Sequence, residues 1–400
     1  MHNKISFLVL LISLSCVIYV GIVFFNWWNQ PLGEPLLIPS LTTETASSNT
    51  QDGLDPEILG LTPTPGKPTS TNVDDGLDRE IPAITQTIEK PAFEAITPLA
   101  RITITPDKPK LMYILAAGID STSSGYRGGL ADVIRIVRID FDTPKVTVLT
   151  LPRDLWVELP GIKEEYDTLT HGKLNTAYTH GIPHLDRYEG EGGGPGLLAH
   201  TIAHNYGLAV DHYAVINMEV FVDIVDALDG IDLYLNRTWD GRGDTDNPDL
   251  EDWVFEEGEH HMRGDEALRF ARIRLNDTEI MRTDNQTVVI CAIKDRMLHP
   301  SVFGALPNLV KAFLGRIQTD LSPAQISQLI ALMPKLQREN LLFIRFPNAM
   351  LVPGRAFDPS LNNTTFVWDI PIEDVRSFIQ AFMSDTITVN IGGGGGRLCP

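Results

Sequence analysis

Three groups of charged side chains in this sequence have the types and spacing that phosphate chemistry uses. The first is acidic. Asp120 and Asp132 flank the Gly- and Ser-rich stretch 121–129. Two carboxylates at the ends of a flexible loop can converge on a hard cation, and Mg²⁺ typically takes one or two carboxylates plus phosphate oxygens. The alternative for both is a turn or cap role, which Asp fills often. The second group is Leu151-Pro152-Arg153-Asp154. An Arg held just after a Pro is rigidly aimed, and its planar fork matches phosphate bidentately. The alternative is an Arg153–Asp154 pair that braces a loop. The third is Arg272-x-Arg274 followed by Glu279-x-x-Arg282-x-x-x-Gln286. Arg282 and Gln286, four apart, share a helical face. Converging arginines at element ends form an anion site, with solvated salt bridges to the many acids of the chain as the alternative.

Composition limits what else the chain can do. The 32 Lys and Arg residues are outnumbered by 52 Asp and Glu, giving a net charge of −20. So acidic a surface repels a phosphate backbone, so no nucleic-acid partner is expected and any phosphate site must be local. Cys16, Cys291 and Cys399 are far apart and give neither a metal spacing nor a disulfide framework. His260 and His261 are adjacent and do not share a helical face. The acidic stretch Asp240 to Asp252 lacks the ligand order of a Ca²⁺ loop, and Gly192 to Gly196 lacks the Lys of a Walker loop. No G-x-S-x-G nucleophile elbow is present.

The elements that must position these groups follow from periodicity and punctuation. Leu111 to Ile119, Val133 to Phe141 and Lys145 to Leu151 read as strands, the last two joined by the turn Asp142-Thr143-Pro144. His212 to Met218, Ile231 to Leu235 and Leu341 to Phe346 read as further strands. Helices are predicted over 196–206, capped by Gly207, and over 219–228, 265–274, 283–298, 325–336 and 372–383. Hairpins mixed with alternating strands and helices predict an α/β fold, a mixed central sheet covered by helices.

Ahead of this region, Ile5 to Phe25 is uncharged and apolar, long enough to span a bilayer, with Trp27 and Trp28 at the interface. Lys4 precedes it and no Lys or Arg follows before Lys67, which places the N-terminus in the cytoplasm and the rest outside. A cleaved signal peptide is the rival reading, disfavoured by the length of the apolar run. The predicted organisation is a cytoplasmic tip and transmembrane anchor at 1–28 and a disordered Pro/Thr/Ser-rich linker, or stalk, at 29–108. A catalytic domain at 109–300 follows, then 301–390 as part of it or a small extension, and a flexible Gly-rich tail at 391–400.

In this order and behind one anchor, the motifs resemble the LytR-CpsA-Psr family. The stretches that carry the likeness are ILAAGID (114–120), DVIRIVRID (132–140), VTVLTLPRD (146–154), VELPG (157–161), KLNTAY (173–178), DHYAVIN (211–217), FVDIVDALDGID (221–232) and ALRFARIRLNDTEIMRTDNQ (267–286). The resemblance implies a membrane-anchored phosphotransferase. Such an enzyme moves a glycopolymer from a polyprenyl-pyrophosphate carrier onto a peptidoglycan sugar hydroxyl, so its partners are the lipid-linked glycan, the cell-wall acceptor and the membrane. By the same resemblance Asp120 and Asp132 hold Mg²⁺, and Arg153, Arg272, Arg274 and Arg282, with Gln286 beside them, hold the pyrophosphate. Leu130 stands where the family often has Arg, with Arg127 as the loop's replacement. Glu279 replaces an Asp, and Asn285 an Arg. The alternatives are a catalytically silent lipid-binding scaffold or regulator, and a polyprenyl-pyrophosphate hydrolase.

Overall fold

A computed structural model describes residues 26–36, 110–121, 125–242, 251–274, 279–299, 315–387 and 396–398. The first half of the chain supplies β1 (Leu111–Ile119), β2 (Ala131–Asp140), β3 (Lys145–Thr150), β4 (Trp156–Glu158), β5 (His171–Lys173), α1 (Leu174–His180), α2 (Gly193–Tyr206), β6 (His212–Asn217) and α3 (Met218–Ala227). Then come β7 (Ile231–Leu235), β8 (Trp239–Asp240), β9 (Val254–Phe255), β10 (Gly258–Met262), α4 (Gly264–Arg272) and α5 (Glu279–Met297). The C-terminal part adds β11 (Gln318–Thr319), α6 (Pro323–Leu332), β12 (Leu341–Arg345), β13 (Pro353–Asp358), β14 (Asn363–Trp368), α7 (Ile372–Met383) and β15 (Gly396–Leu398).

Seven strands form one mixed sheet in the order β11-β6-β1-β2-β3-β12-β15. β2 runs antiparallel to both β1 and β3, whereas β6 is parallel to β1 and β12 is parallel to β3. The carboxyl ends of β1, β3, β6 and β12 therefore gather at one edge, together with the start of β2. Open sheets of this kind bind ligands outside those carboxyl ends.

Strand alternation sends side chains to two covered faces. Leu115, Ile134, Ile136 and Leu149 pack against Leu174 and Tyr178 of α1, Leu197 and Ile202 of α2, and Ile379 and Phe382 of α7. On the other face Met112, Ile114, Ile139, Val148 and Phe343 meet Cys291 of α5 and Leu332 of α6. A third cluster, with Val225, Ile231, Met262, Phe270 and Val289, fastens β7 and β10 to α3, α4 and α5. β12 and α7 thus complete the same sheet and core as the residues before position 300.

Most predicted strands and helices recur within a few residues, and Gly207 caps α2 with φ 71°. The α1 helix was absent from the sequence reading because its seven residues are too short for a visible period. The β13–β14 hairpin pairs over six residues that mix polar and aromatic types and give no strand signal. Within the Gly-rich tail, Gly396–Leu398 pairs antiparallel with β12. An uncovered strand edge offers unpaired N–H and C=O groups to any chain in reach, which outweighs the low strand propensity of such a sequence.

Two expectations are corrected. Cys291 is disulfide-bonded, although the cysteine spacing gives no disulfide framework. And the first residues of the expected linker lie on the domain. The Leu32 N–H donates to the Leu321 carbonyl at 3.4 Å, the Tyr213 hydroxyl donates to the Glu34 carbonyl at 3.1 Å, and Leu36 is buried in the main core. Gly33 permits the contact, since a Cβ there would stand 2.6 Å from the Thr319 carbonyl oxygen. Residues 37–109 lie outside the described residues. The apolar run Ile5 to Phe25 also lies outside the described residues, among which no helix is long and apolar enough to cross a membrane.

Leu36→Ala should destabilise the fold by about 2–4 kcal/mol, the cost of a buried Leu truncation. A denaturant midpoint equal to that of the wild type would show that residues 30–36 do not pack on the domain.

Candidate active site

The edge where the carboxyl ends meet is built from backbone constraints. Asp120 follows β1 and Asp132 is the second residue of β2. Both donate their backbone N–H to the Leu130 carbonyl, at 3.1 and 2.9 Å, while the Asp120 Oδ1 accepts the Leu130 N–H. The two aspartates are thus fastened on either side of one peptide. Arg153 is fixed as firmly. Leu151 extends the β3 pairing by donating to Ile134, Pro152 restricts the next φ, and the Asn175 N–H donates to the Arg153 carbonyl at 3.1 Å.

Asp132 is the centre on which these elements converge. Arg153 Nη1 donates to Asp132 Oδ1 at 2.6 Å, and Arg282 Nη1 lies 3.5 Å from Oδ2. Arg282 Nη2 also donates to the Asp132 backbone carbonyl at 3.0 Å. Asn175 Nδ2 adds a longer bond of 3.4 Å to Oδ1. Arg282 is buried, Arg153 half-buried, so both guanidiniums have left much of their water. Burial pushes the Asp132 carboxyl up, but Arg153 and then Arg282 outweigh it and hold it below the usual carboxylate range.

The loop-bracing reading of Arg153 is realised at the same time. Its Nε donates to Asp154 Oδ2 at 3.2 Å, and Lys173 Nζ donates to Asp154 Oδ1 at 2.7 Å. One guanidinium therefore bridges two carboxylates, and the more buried one, Asp154, is shared with a lysine. Lys173, Asn175 and Asp154 were missed as site residues. The signal lay in KLNTAY and PRD, but nothing in sequence shows that these two stretches meet.

The other predicted residues are placed by the elements around this cluster. Arg127 is exposed in the loop between the aspartates, and Arg272 is exposed on the last turn of α4. Arg274 and Gln286 are half-buried, Gln286 one turn beyond Arg282 on α5. Arg272 and Arg274 flank Ile273, whose carbonyl accepts from Asn285 of α5 at 3.4 Å. Asn285 also reaches the Phe270 carbonyl at 3.5 Å, so the residue standing where an Arg is usual ties α4 to α5. Two further arginines reach α5 from strands. Arg345 of β12 lies 3.5 Å from Asp284, and the buried Arg135 of β2 donates to Thr287 Oγ1 at 3.4 Å. Burial pushes Arg135 down to about 10, against the pull of Asp284, which leaves it charged at neutral pH.

Among the described residues no group of three or more His, Cys, Asp or Glu could hold a metal ion. Of the site's carboxylates, the two expected to hold a metal are Asp120 and Asp132, and Asp132 is already shared by two arginines. That donor set fits Mg²⁺ only when a ligand brings further oxygens, as phosphates do.

The LytR_cpsA_psr family model matches residues 83–377, which include every element of this site. The chain belongs to the LytR_cpsA_psr family. Among curated family relatives it is 26% identical over 216 residues to the polyisoprenyl-teichoic acid–peptidoglycan teichoic acid transferase TagV of Bacillus subtilis, covering 54% of this chain and 51% of that protein. It is 27% identical over 219 residues to TagU of Oceanobacillus iheyensis, named as the same kind of transferase, covering 54% and 61%. The chain thus spans about half to three-fifths of the length of these relatives. The crystal structure of B. subtilis TagV superposes with a TM-score of 0.52 at 21% identity, over 69% of this chain and 98% of that one. The mixed sheet and its covering helices are therefore the LytR_cpsA_psr fold.

Because Asp132 is held ionised in the fold, its contribution to stability is present above the unfolded carboxylate range near pH 4. It is lost as pH falls through the lower folded value. Asp132→Asn should cost about 1–3 kcal/mol at pH 7 by leaving two arginines facing each other. The gap to wild type should close as pH falls through the folded Asp132 value, which lies below the usual carboxylate range. Equal urea midpoints at pH 7 would show that the ion pairs contribute nothing.

Proposed function

We propose that this LytR_cpsA_psr protein is a phosphotransferase that moves a glycopolymer from a polyprenyl-pyrophosphate carrier onto a cell-wall sugar hydroxyl. The observation that carries the reading is the convergence of Arg153 and Arg282, distant in sequence, on one carboxylate at the carboxyl-end edge of the sheet. The names of the TagV and TagU relatives supply the substrate class.

Phosphoryl transfer asks an enzyme mainly for positioning and charge neutralisation. Arg153 and Arg282 are pre-aimed donors whose forks suit the non-bridging oxygens of a pyrophosphate. Asp132 keeps them from repelling one another before the donor arrives. Arg127, Arg272, Arg274 and Gln286 would supply further contacts for the lipid-linked glycan. The acceptor hydroxyl oxygen forms a new bond to the phosphorus that bears the glycan, the P–O–P bond breaks, and the hydroxyl proton departs. Polyprenyl monophosphate leaves and a phosphodiester remains. Asp120 and Asp132 are the residues that would hold Mg²⁺, which would supply charge neutralisation on the leaving phosphate.

The apolar run Ile5 to Phe25 is read as a single-pass anchor with the catalytic domain outside the cytoplasm. Because residues 30–36 already lie on the domain, this anchor would hold the site close to the membrane that contains its donor.

The test is incubation of the protein with a polyprenyl-pyrophosphate oligosaccharide, Mg²⁺ and wall fragments, with products read by mass. The expected products are a glycan joined to the wall by a phosphodiester and polyprenyl monophosphate. Arg153→Ala should lower kcat/KM by about 10–150-fold, the loss of one charged hydrogen bond of roughly 1.5–3 kcal/mol. Release of free glycan phosphate with no wall adduct would instead identify a hydrolase. Lipid binding without turnover would identify a scaffold.

A further inference from the structure

The β13–β14 hairpin forms a separate two-stranded sheet that turns apolar side chains to the outside. Arg355 stands opposite Phe366, and Phe357 opposite Thr364. Directly opposed residues, and residues two apart on one strand, share a face. Arg355, Phe357, Thr364 and Phe366 therefore belong to one outer face, and all four are exposed. Ala356, Asp358 and Val367, on the inner face, are buried or half-buried. An antiparallel ribbon with one face to water normally turns its polar side chains outward. Here Phe357 is 56% exposed, and Leu361, in the turn, 64%. Val352, Phe357, Leu361, Phe366 and Ile372 are half of the large apolar side chains exposed among the described residues, and they fall within one short stretch. Single exposed apolar residues are ordinary, whereas a concentration of them marks an interaction site.

We propose that the outer face of this hairpin is a membrane-contact surface, seated at the headgroup level of an anionic bilayer; it rests on the lipid-linked donor proposed above. Its charge suits that partner. Between Leu351 and Trp368 the charged side chains are Arg355 and Asp358. Asp358 is buried, and its Oδ1 accepts from the N–H and the hydroxyl of Ser360. In a chain of net charge −20, this ribbon thus exposes no carboxylate to anionic lipids. Arg355 can lay its stem along the apolar face and keep its guanidinium at the phosphates.

Its position suits the bilayer as well. The Trp368 N–H donates to the Asp154 carbonyl at 3.0 Å, next to Arg153, so the hairpin is rooted beside the candidate site. A carrier lipid that stays in the bilayer presents its pyrophosphate at headgroup level, and a site that takes it must lie against the membrane. The N-terminal part of the chain approaches from the same end. Seven residues lead from Phe25, the end of the apolar run, to Leu32 on the domain, a reach of at most about 25 Å. Leu36 lies against Gly192, the N-cap of α2, where a Cβ would stand 3.6 Å from Leu36 Cδ2. Gly193 in turn packs on Gly181, the C-cap of α1. Asp358, at the end of β13, is near enough to His180, the last residue of α1, for its charge to favour the imidazolium against burial. The segment that follows the apolar run and the turn end of the hairpin therefore border the same junction of α1 and α2. A single anchoring helix leaves a domain free to rotate about it. Contact through the hairpin would fix that rotation and turn the Arg153–Arg282 edge toward the donor.

The test uses the full-length chain in vesicles of phosphatidylglycerol and phosphatidylethanolamine, with wall fragments added. The photo-crosslinker benzoylphenylalanine replaces Phe357, Leu361 or Phe366 in turn, and Ile330, exposed on α6, serves as the control. Irradiation should give phospholipid adducts at 357, 361 and 366, and these should be lost when the crosslinker is at 330. Adducts with wall glycan would identify an acceptor surface instead, and adducts with a second copy of the chain a dimer face. Either result, equal lipid adducts at 330, or no adduct at the hairpin would overturn the inference. Crosslinking needs no turnover, so it is read separately from the transfer assay. Lipid adducts without wall product would leave the membrane contact standing and sink only the phosphotransferase reading.

Discussion

Two guanidiniums share one carboxylate at Asp132, and the site is organised around that arrangement. Two arginines brought this close repel each other at a cost that grows as water is removed. Asp132 offsets the repulsion through a 2.6 Å bond to Arg153 and a 3.5 Å approach by Arg282, with Asn175 behind it. The carboxylate is also where three segments meet: the start of β2, the loop after β3, and α5. An anion with several oxygens can take over part of the role of Asp132 without moving any of them.

The fold supplies that meeting point through strand direction. With β1, β3, β6 and β12 parallel and β2 reversed, the ends that carry Asp120, Arg153 and Arg345 face the same side as the start of β2. Arg135 and Arg345 bring additional positive charge to α5 from the sheet, near Asp284. The family resemblance leads to an expected Arg at position 285, where this chain has Asn285. Its amide serves the α4–α5 connection, and cationic charge reaches the helix from the strands. Leu130, another departure, takes part through its backbone, whose N–H and C=O fasten Asp120 and Asp132.

Much of this was legible in the sequence, for identifiable reasons. The β1–β3 strands announce themselves by dense β-branched runs and a turn, and α7 by its apolar period. Locally, Arg153, Arg282 and the two aspartates gave weak signals, each with a turn, brace or salt-bridge alternative, and it was the family resemblance that joined them into one site. Their convergence was not legible from spacing, since it depends on strand order and direction. Lys173 and Asn175 stayed hidden because α1 is too short to show a helical period. The packing of residues 30–36 was masked by composition: a Pro- and Gly-bearing segment reads as linker until a single buried Leu36 and a glycine against a carbonyl show otherwise.

The central claim is that Arg153 and Arg282 form one anion site gathered by Asp132. Calorimetric titration of farnesyl pyrophosphate into the wild type, Arg153→Ala, Arg282→Ala and the double variant tests it most directly. If the two arginines grip the same pyrophosphate, each single variant binds more weakly. The double variant then departs from additivity by about 0.5–3 kcal/mol, as residues with a shared partner do. Strictly additive losses, or affinities unchanged by either substitution, would contradict the account.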